Sequence, residues 1–269
     1  MKKNFLLVLL LTLSACATSP TGRSQFMLVS PEEAISSSRE AYIQTLKPLQ
    51  QEGKIDANPA TAKRVQLITG RIIAQAIQLY PHTRNWEWTV KVIDDPETVN
   101  AWCMAGGKMA IYTGLINKLQ ATDDEIAQVM GHEISHALAN HTAERMSMAM
   151  ATQLGLSGVT LATGNSAYKD VILSGSSLAA QTAITLPNSR TSESEADQMG
   201  IELAARAGYD PRAAARLWQK MAKVGGAGPP QFLSTHPSPG NRQQRLSVLA
   251  EQMMGYYQDT SPRPVYPLR

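Results

Sequence analysis

Apolar residues recur at helical intervals along most of this chain and alternate in one stretch near its middle. Between Asn58-Pro59 and Tyr80, Val65, Ile68, Ile72 and Ala76 share one face, which predicts a helix opened by an asparagine cap and a first-turn proline. Ser30-Pro31-Glu32-Glu33 marks an earlier helix in the same way, its acids complementing the positive end of the helix dipole. The period then changes: Trp86, Trp88, Val90 and Val92 alternate with Glu87, Thr89 and Lys91, as in a strand with one buried face, and Asp94-Asp95-Pro96 ends it. Asn100 to Met104 and Lys108 to Tyr112 flank Ala105-Gly106-Gly107, so two short strands around a glycine turn follow, next to a helix that begins near Gly114. Thr122 to about Met150 reads as one helix. It opens with the capping-box pair Thr122 and Glu125 and carries Ile126, Val129, Met130, Ile134 and Ala137 on its apolar face.

Beyond Met146 the periodic signal fades. Lys169 and Asp170 are the only charges as far as Ser189, and the apolar residues are diluted by Gly, Ser, Thr and Gln. That composition fits a flap near a cleft, or an apolar surface resting on a membrane or partner, better than a membrane span; plain core is the simplest alternative. Ser192 to Gly200 begins another helix ending at Gly208, and Arg245 to Met254 reads as a last amphipathic one. The tail from Gln258, with Pro262, Pro264 and Pro267, reads as extended and weakly ordered.

The first fifteen residues read as an address. Lys2 and Lys3 precede the apolar run Phe5 to Leu13, which is too short to span a bilayer, and Leu13-Ser14-Ala15 leads into Cys16. Leu-Ser-Ala-Cys resembles the lipobox of bacterial lipoproteins, which makes Cys16 the expected lipidated residue and residues 1–15 the removed signal. Ala17, in place of an acid, favours the outer membrane, with the chain facing the periplasm. An ordinary secretory signal beside a chance cysteine is the other reading. Residues 16–30 are expected to be the lipidated cysteine and a tether, 31–255 one domain and 256–269 the proline-rich tail.

Losing Lys2 and Lys3 from 25 basic residues against 22 acidic ones leaves a near balance, which argues against nucleic acid as a partner. With Cys16 committed to lipid, Cys103 has no cysteine to pair with and reads as a small apolar packing residue.

Chemistry concentrates at His132-Glu133-Ile134-Ser135-His136. Side chains four apart stack on one helical face, so two imidazoles can converge on one cation. Glu133 is turned by roughly 100° about the axis, beside the metal, where it can take a proton from a water. A catalytic zinc of this type needs a third protein ligand. Glu193 and Asp197 share a helical face, so Glu193 can bind metal while Asp197 orients a ligand histidine through its other ring nitrogen. Glu195, on a different face, lacks such a partner. An acidic first turn that merely complements the helix dipole is the plain alternative.

With these motifs in place, the chain resembles the HtpX/BepA/LoiP/Oma-type zinc metallopeptidase family over roughly Phe26 to Leu249, in its lipid-anchored branch without transmembrane helices. The likeness rests on His132-Glu133-x-x-His136, Glu193-x-x-x-Asp197 and the hairpin from Asn100-Ala101-Trp102 to Gly114-Leu115. It implies an α+β, mostly helical, zincin-like domain with a small sheet or hairpin beside the metal helix. It also implies one Zn2+ held by His132, His136 and Glu193, with Glu133 as general base and acid. His141 lies five residues after His136, not the six of a metzincin, and reads as a supporting or dipole-related residue near the helix end.

His236, in Ser234-Thr235-His236-Pro237, follows the glycine-rich run Gly225 to Pro230. By resemblance it stabilises an oxyanion or caps the zinc at rest; a structural turn is equally open. Arg242 can hold the same loop or help with developing charge. The hairpin is either an ordinary internal one or an edge for an extended substrate backbone. The expected function is zinc-dependent endoproteolysis of unfolded or misassembled cell-envelope proteins. The alternative is a lipid-anchored assembly factor or chaperone with a latent metal site.

Overall fold

The computed structural model describes residues 16–163, 178, 181–182, 188–224, 230–237 and 240–268. The leader 1–15, about half of the apolar segment expected to form a flap (164–177, 179–180 and 183–187), and the glycine-rich run 225–229 lie outside the described residues. A short hairpin comes first, β1 (Cys16–Thr18) against β2 (Ser24–Phe26). Two helices follow, α1 (Pro31–Gln51) and α2 (Pro59–Leu79), both opened as the sequence signals. Ser30 and Glu33 form a capping box on α1, and the Asn58 side chain accepts from the amides of Ala60 and Thr61. A 3-10 turn (Pro81–Asn85) leads to β3 (Thr89–Ile93), β4 (Ala101–Met104) and β5 (Lys108–Tyr112).

These three strands form one mixed sheet in the order β3-β5-β4. The hairpin β4-β5 is antiparallel, while β3 runs parallel to β5 and so pairs with the far strand of the hairpin. The alternation that begins at Trp86 enters the ladder only at Thr89, which faces Lys108, the first residue of β5. Strand β4 is an edge, yet all four of its residues are buried, because the sheet is covered on both faces. Trp102 points toward α1, where it meets Tyr42 edge-on with ring centroids 5.8 Å apart. Cys103 belongs instead to the main core, the cluster that holds Val65, Ile72, Ile126 and Met130, as a buried packing residue.

Helix α3 (Thr113–Lys118) turns the chain into α4 (Asp123–Leu138), whose Thr122–Glu125 capping box is formed. The expected single helix to Met150 is broken. Ala139 closes α4, Asn140 takes a left-handed φ of 55°, and α5 (His141–Thr163) starts in a new direction. Asparagine is among the few non-glycine residues that tolerate this conformation. Then come α6 (Arg190–Arg206), α7 (Ala213–Lys223), the single turn α8 (Gln231–Thr235) and α9 (Arg242–Gln258).

Helices α4 and α6 touch at two glycines. A Cβ on Gly131 would lie 2.7 Å from the Gly200 carbonyl oxygen, and one on Gly200 would lie 2.7 Å from the amide nitrogen of His132. Backbone therefore meets backbone next to the first histidine, which brings the acidic turn of α6 within reach of both histidines.

Two terminal segments differ from expectation. The stretch expected as a tether is docked: the Gln25 side chain donates to Ala139 O at 2.8 Å, and Arg23 forks onto Glu144 at 2.7 Å to each carboxylate oxygen. The C-terminal tail is extended, as its prolines suggest, but it is fastened. Tyr266 donates to Gly70 O at 2.9 Å and Arg263 to Arg206 O at 2.6 Å, with Tyr266 and Leu268 against the main core. Among the described residues no helix is long and apolar enough to cross a membrane.

Candidate metal centre

The last two turns of α4 present His132 and His136 with their Nε2 atoms 3.0 Å apart. Glu193, from the first turn of α6, places Oε2 3.2 Å from His132 Nε2 and Oε1 3.4 Å from His136 Nε2. Ligands about 2.0–2.1 Å from a tetrahedral zinc lie roughly 3.3 Å from one another, and the separations here are close to that, the two imidazoles facing different oxygens of the one carboxylate. The donor chemistry agrees, with two imidazoles and one carboxylate. Glu193 Oε1 and Glu133 Oε1 are buried oxygens that make no hydrogen bond and have only ring nitrogens facing them, His136 Nε2 at 3.4 Å and His236 Nε2 at 3.2 Å, which fits atoms whose partners are a cation and a water. The four residues His132, His136, Glu193 and His236 each offer one ligand atom within 4.8 Å of the others.

Each histidine is oriented from behind. His132 Nδ1 faces Asp197 Oδ1 at 3.2 Å, the arrangement anticipated from the spacing of Glu193 and Asp197. Burial alone would lower the His132 pKa, but the charge of Glu193 and the hydrogen bonds to Asp197 and Glu193 outweigh it and lift the value to about 9. Glu193 shows the converse balance. Burial would raise its carboxyl, yet the imidazoles of His236 and His132 hold it well below the usual range.

His136 has another support, His141, whose Nδ1 lies 2.7 Å from His136 Nδ1. Burial pushes both imidazoles down, more than Glu193 and Glu195 can raise them, so each is neutral with one ring proton at neutral pH. Because α5 starts at His141, this residue sits at a helix N-terminus. There the dipole disfavours an imidazolium, so the expected dipole role is replaced by a hydrogen bond to a histidine. Glu195, set aside as a ligand in favour of Glu193, accepts from the far side of His141 at 3.1 Å.

Arg242 is more central than its sequence context suggests. It is 3 % exposed, donates to Asp197 at 2.6 Å and to Glu193 at 3.1 Å, and sets its guanidinium carbon over the Trp218 ring, 3.8 Å from the centroid. His236 also enters the site. Its Nε2 is 3.2 Å from Glu133 Oε1, its Nδ1 is 2.9 Å from the Phe232 carbonyl, and its ring stacks on Phe232 at 4.2 Å.

The His236 segment is itself anchored, because Phe232 donates to Val99 O at 3.1 Å, just ahead of β4. Asn188 donates its amide to Thr235 O at 2.9 Å and takes a hydrogen bond from Arg145 of α5. Of these supports Phe232, Trp218, Asn188 and Arg145 carry no motif in the sequence. An aromatic four residues before His236 was the one local sign.

Residues 59–250 match the profile of peptidase family M48. The chain is 38% identical over 178 residues to the mitochondrial metalloendopeptidase OMA1 of Arabidopsis thaliana, covering 65% of this chain and 35% of that protein. With the mitochondrial metalloendopeptidase OMA1 of Saccharomyces cerevisiae it shares 32% identity over 238 residues, 84% of this chain and 66% of the yeast protein. A beta-barrel assembly-enhancing protease of Yersinia pestis is 33% identical over 164 residues, 58% of this chain and 33% of the relative. The chain thus spans between about a third and two thirds of the length of these curated relatives. The matched region contains the α4 histidines, the α6 acids and Arg242, and on that match the chain belongs to peptidase family M48, with a zinc metallopeptidase domain of the Oma/BepA type.

Proposed function

We propose that the protein is a zinc-dependent endopeptidase that cuts unfolded or misassembled proteins of the bacterial cell envelope, held at the periplasmic face of the outer membrane by a lipid on Cys16. The observation that carries the catalytic part is the convergence of His132, His136 and Glu193 near tetrahedral ligand spacing beside the buried carboxylate of Glu133. The envelope setting is supported by the leader ending at Cys16 and by the name of the Yersinia relative.

When bound at His132, His136 and Glu193, zinc supplies Lewis acidity toward a peptide carbonyl and a water. The chain's own residues do the rest. Glu133 accepts the proton of the attacking water and returns it to the departing amine. Asp197 keeps the proton of His132 on Nδ1, and Arg242 bridges Glu193 and Asp197 by donating to both.

His236 Nε2 against Glu133 Oε1 favours a second reading of the loop. In it the imidazole occupies the general base at rest and must withdraw before substrate is cut.

The test incubates the chain with an unfolded protein, with and without chelator and zinc. Wild type is expected to cleave, chelator to stop it and zinc to restore it. Glu133→Gln should bind zinc yet cleave about 10²–10⁴-fold more slowly, as expected for loss of a general base. His136→Ala should lose both metal and activity. Retained activity in Glu133→Gln would sink the mechanism. His236→Ala should speed cleavage if the loop is a latch and slow it if the ring stabilises an oxyanion. If zinc-loaded wild type and His236→Ala both leave the substrate intact, the assembly-factor alternative takes precedence.

A further inference from the structure

We propose that the N-terminal hairpin is a clamp on the metal centre: Thr21 and Arg23 hold Glu195, Glu195 holds His141, and His141 holds the ring of His136 with Nε2 turned to the metal. The inference rests on the zinc reading above and concerns how one ligand is kept in place.

The argument follows the protons. A metal at His136 Nε2 needs the lone pair there, so the ring proton must sit on Nδ1. The partner of that Nδ1 is His141 Nδ1 at 2.7 Å, which must then accept. The proton of His141 is thereby placed on its Nε2, where Glu195 Oε2 accepts it at 3.1 Å. Each step forces the next, and the series ends on a carboxylate.

That carboxylate is held from the hairpin. Thr21 Oγ1 donates to Glu195 Oε1 at 2.6 Å and Arg23 Nε to Oε2 at 2.9 Å. The remaining nitrogens of the same guanidinium fork onto Glu144 of α5, which fixes the plane of the Arg23 side chain. Gln25, buried beside them, donates to Ala139 O at the break between α4 and α5. The hairpin thus grips both the end of the metal helix and the outer end of the histidine relay. The two ligand histidines are secured differently: His132 rests on Asp197 from α6, whereas His136 depends on a segment more than a hundred residues earlier in the chain. His141, Glu195, Thr21 and Arg23 are therefore positioning residues; none of them touches the reacting atoms.

The experiment measures zinc affinity of the full chain by competition with a chromophoric chelator. Melting in excess chelator reports whether each variant folds. Loss of a partner behind a metal ligand weakens binding by about 10–100-fold, and that is the expected effect of His141→Leu. His141→Gln keeps an acceptor for His136 and a donor for Glu195, so it should recover most of the affinity. Thr21→Val with Arg23→Ala, far from the ion, should weaken zinc binding by about tenfold in a chain that still folds. If His141→Leu does not fold, the Thr21/Arg23 pair and His141→Gln decide the matter. The clamp is overturned if the folded Thr21/Arg23 variant binds zinc as wild type does, or if His141→Gln, folded, is as weak as His141→Leu. A wild type that binds no zinc would overturn instead the metal reading beneath it.

Discussion

Arg242 places one positive charge between two buried carboxylates, and its removal would strand both. Glu193 and Asp197 are each 5 % exposed or less, so neither can turn to water for compensation. Arg242→Ala is expected to destabilise the zinc-free chain by about 3–5 kcal/mol in urea unfolding, the usual cost of breaking a buried ion pair from one side. Arg242→Lys should recover only part of this, because an ammonium cannot reach two carboxylates in a fork and stack on Trp218 at once. A loss below about 1 kcal/mol in Arg242→Ala would mean that the pair is solvated and the placement wrong. At this scale the sequence was informative where geometry is helical. His132, His136 and Glu133 are related by the turn of one helix, and Glu193 and Asp197 by that of another, so spacing alone could pair them. Arg23 and Glu195 meet across 172 positions with no shared period, and nothing local could announce it.

Helices α4 and α6 are set by their glycines, and the metal ligands ride on them. Gly200→Ala is expected to push α6 away from His132, costing about 1–3 kcal/mol as an overpacked contact. Zinc affinity should fall with it, since Glu193 moves with the helix. Urea melts with and without zinc separate the two effects, and an alanine variant that keeps both values would show that the contact can relax. The Ser30 cap and the Thr122–Glu125 capping box were legible because they are local chemistry within four residues, whereas the reciprocal bond of Glu33 to Ser30 appears only in the structure. The division of α4 from α5 was not. The apolar pattern runs through the break, no glycine or proline marks it, and the left-handed turn falls on Asn140. The parallel partnership of β3 with β5 was equally hidden, since alternation shows which face is buried but not which strand lies alongside.

Taken whole, the molecule is closed by both terminal segments, and one of them is bound by charge. Burial would raise the Glu144 carboxyl, but hydrogen bonds from Arg23 and Gln25 and the Arg23 charge hold it below its ordinary value of about 4.5. A carboxyl depressed on folding adds stability that is complete above the ordinary value and is lost as pH falls through the depressed one. The hairpin is thus expected to stay protected from exchange and proteolysis at neutral pH and to loosen at strongly acid pH. Glu144→Gln should weaken its hold at neutral pH and remove much of the pH dependence. Equal protection of wild type and Glu144→Gln across that range would show that packing alone holds the segment. The mostly helical fold class with its small sheet was legible through the long amphipathic helices, the alternating stretch and the metal motif. The docked ends were not, because Ser19 to Phe26 has too few apolar residues to signal burial.

The register of the first hairpin also decides how the molecule bears a mechanical load. Cys16 pairs with Phe26 at the open end, while the turn lies at the other end near Gly22. A pull on residue 16 therefore loads the β1–β2 hydrogen bonds one after another instead of together. Tension would peel Cys16–Thr18 away at low force and lengthen the chain before any strain reached Thr21 and Arg23, so β1 would serve as slack between the lipid proposed on Cys16 and the residues proposed to steady the metal.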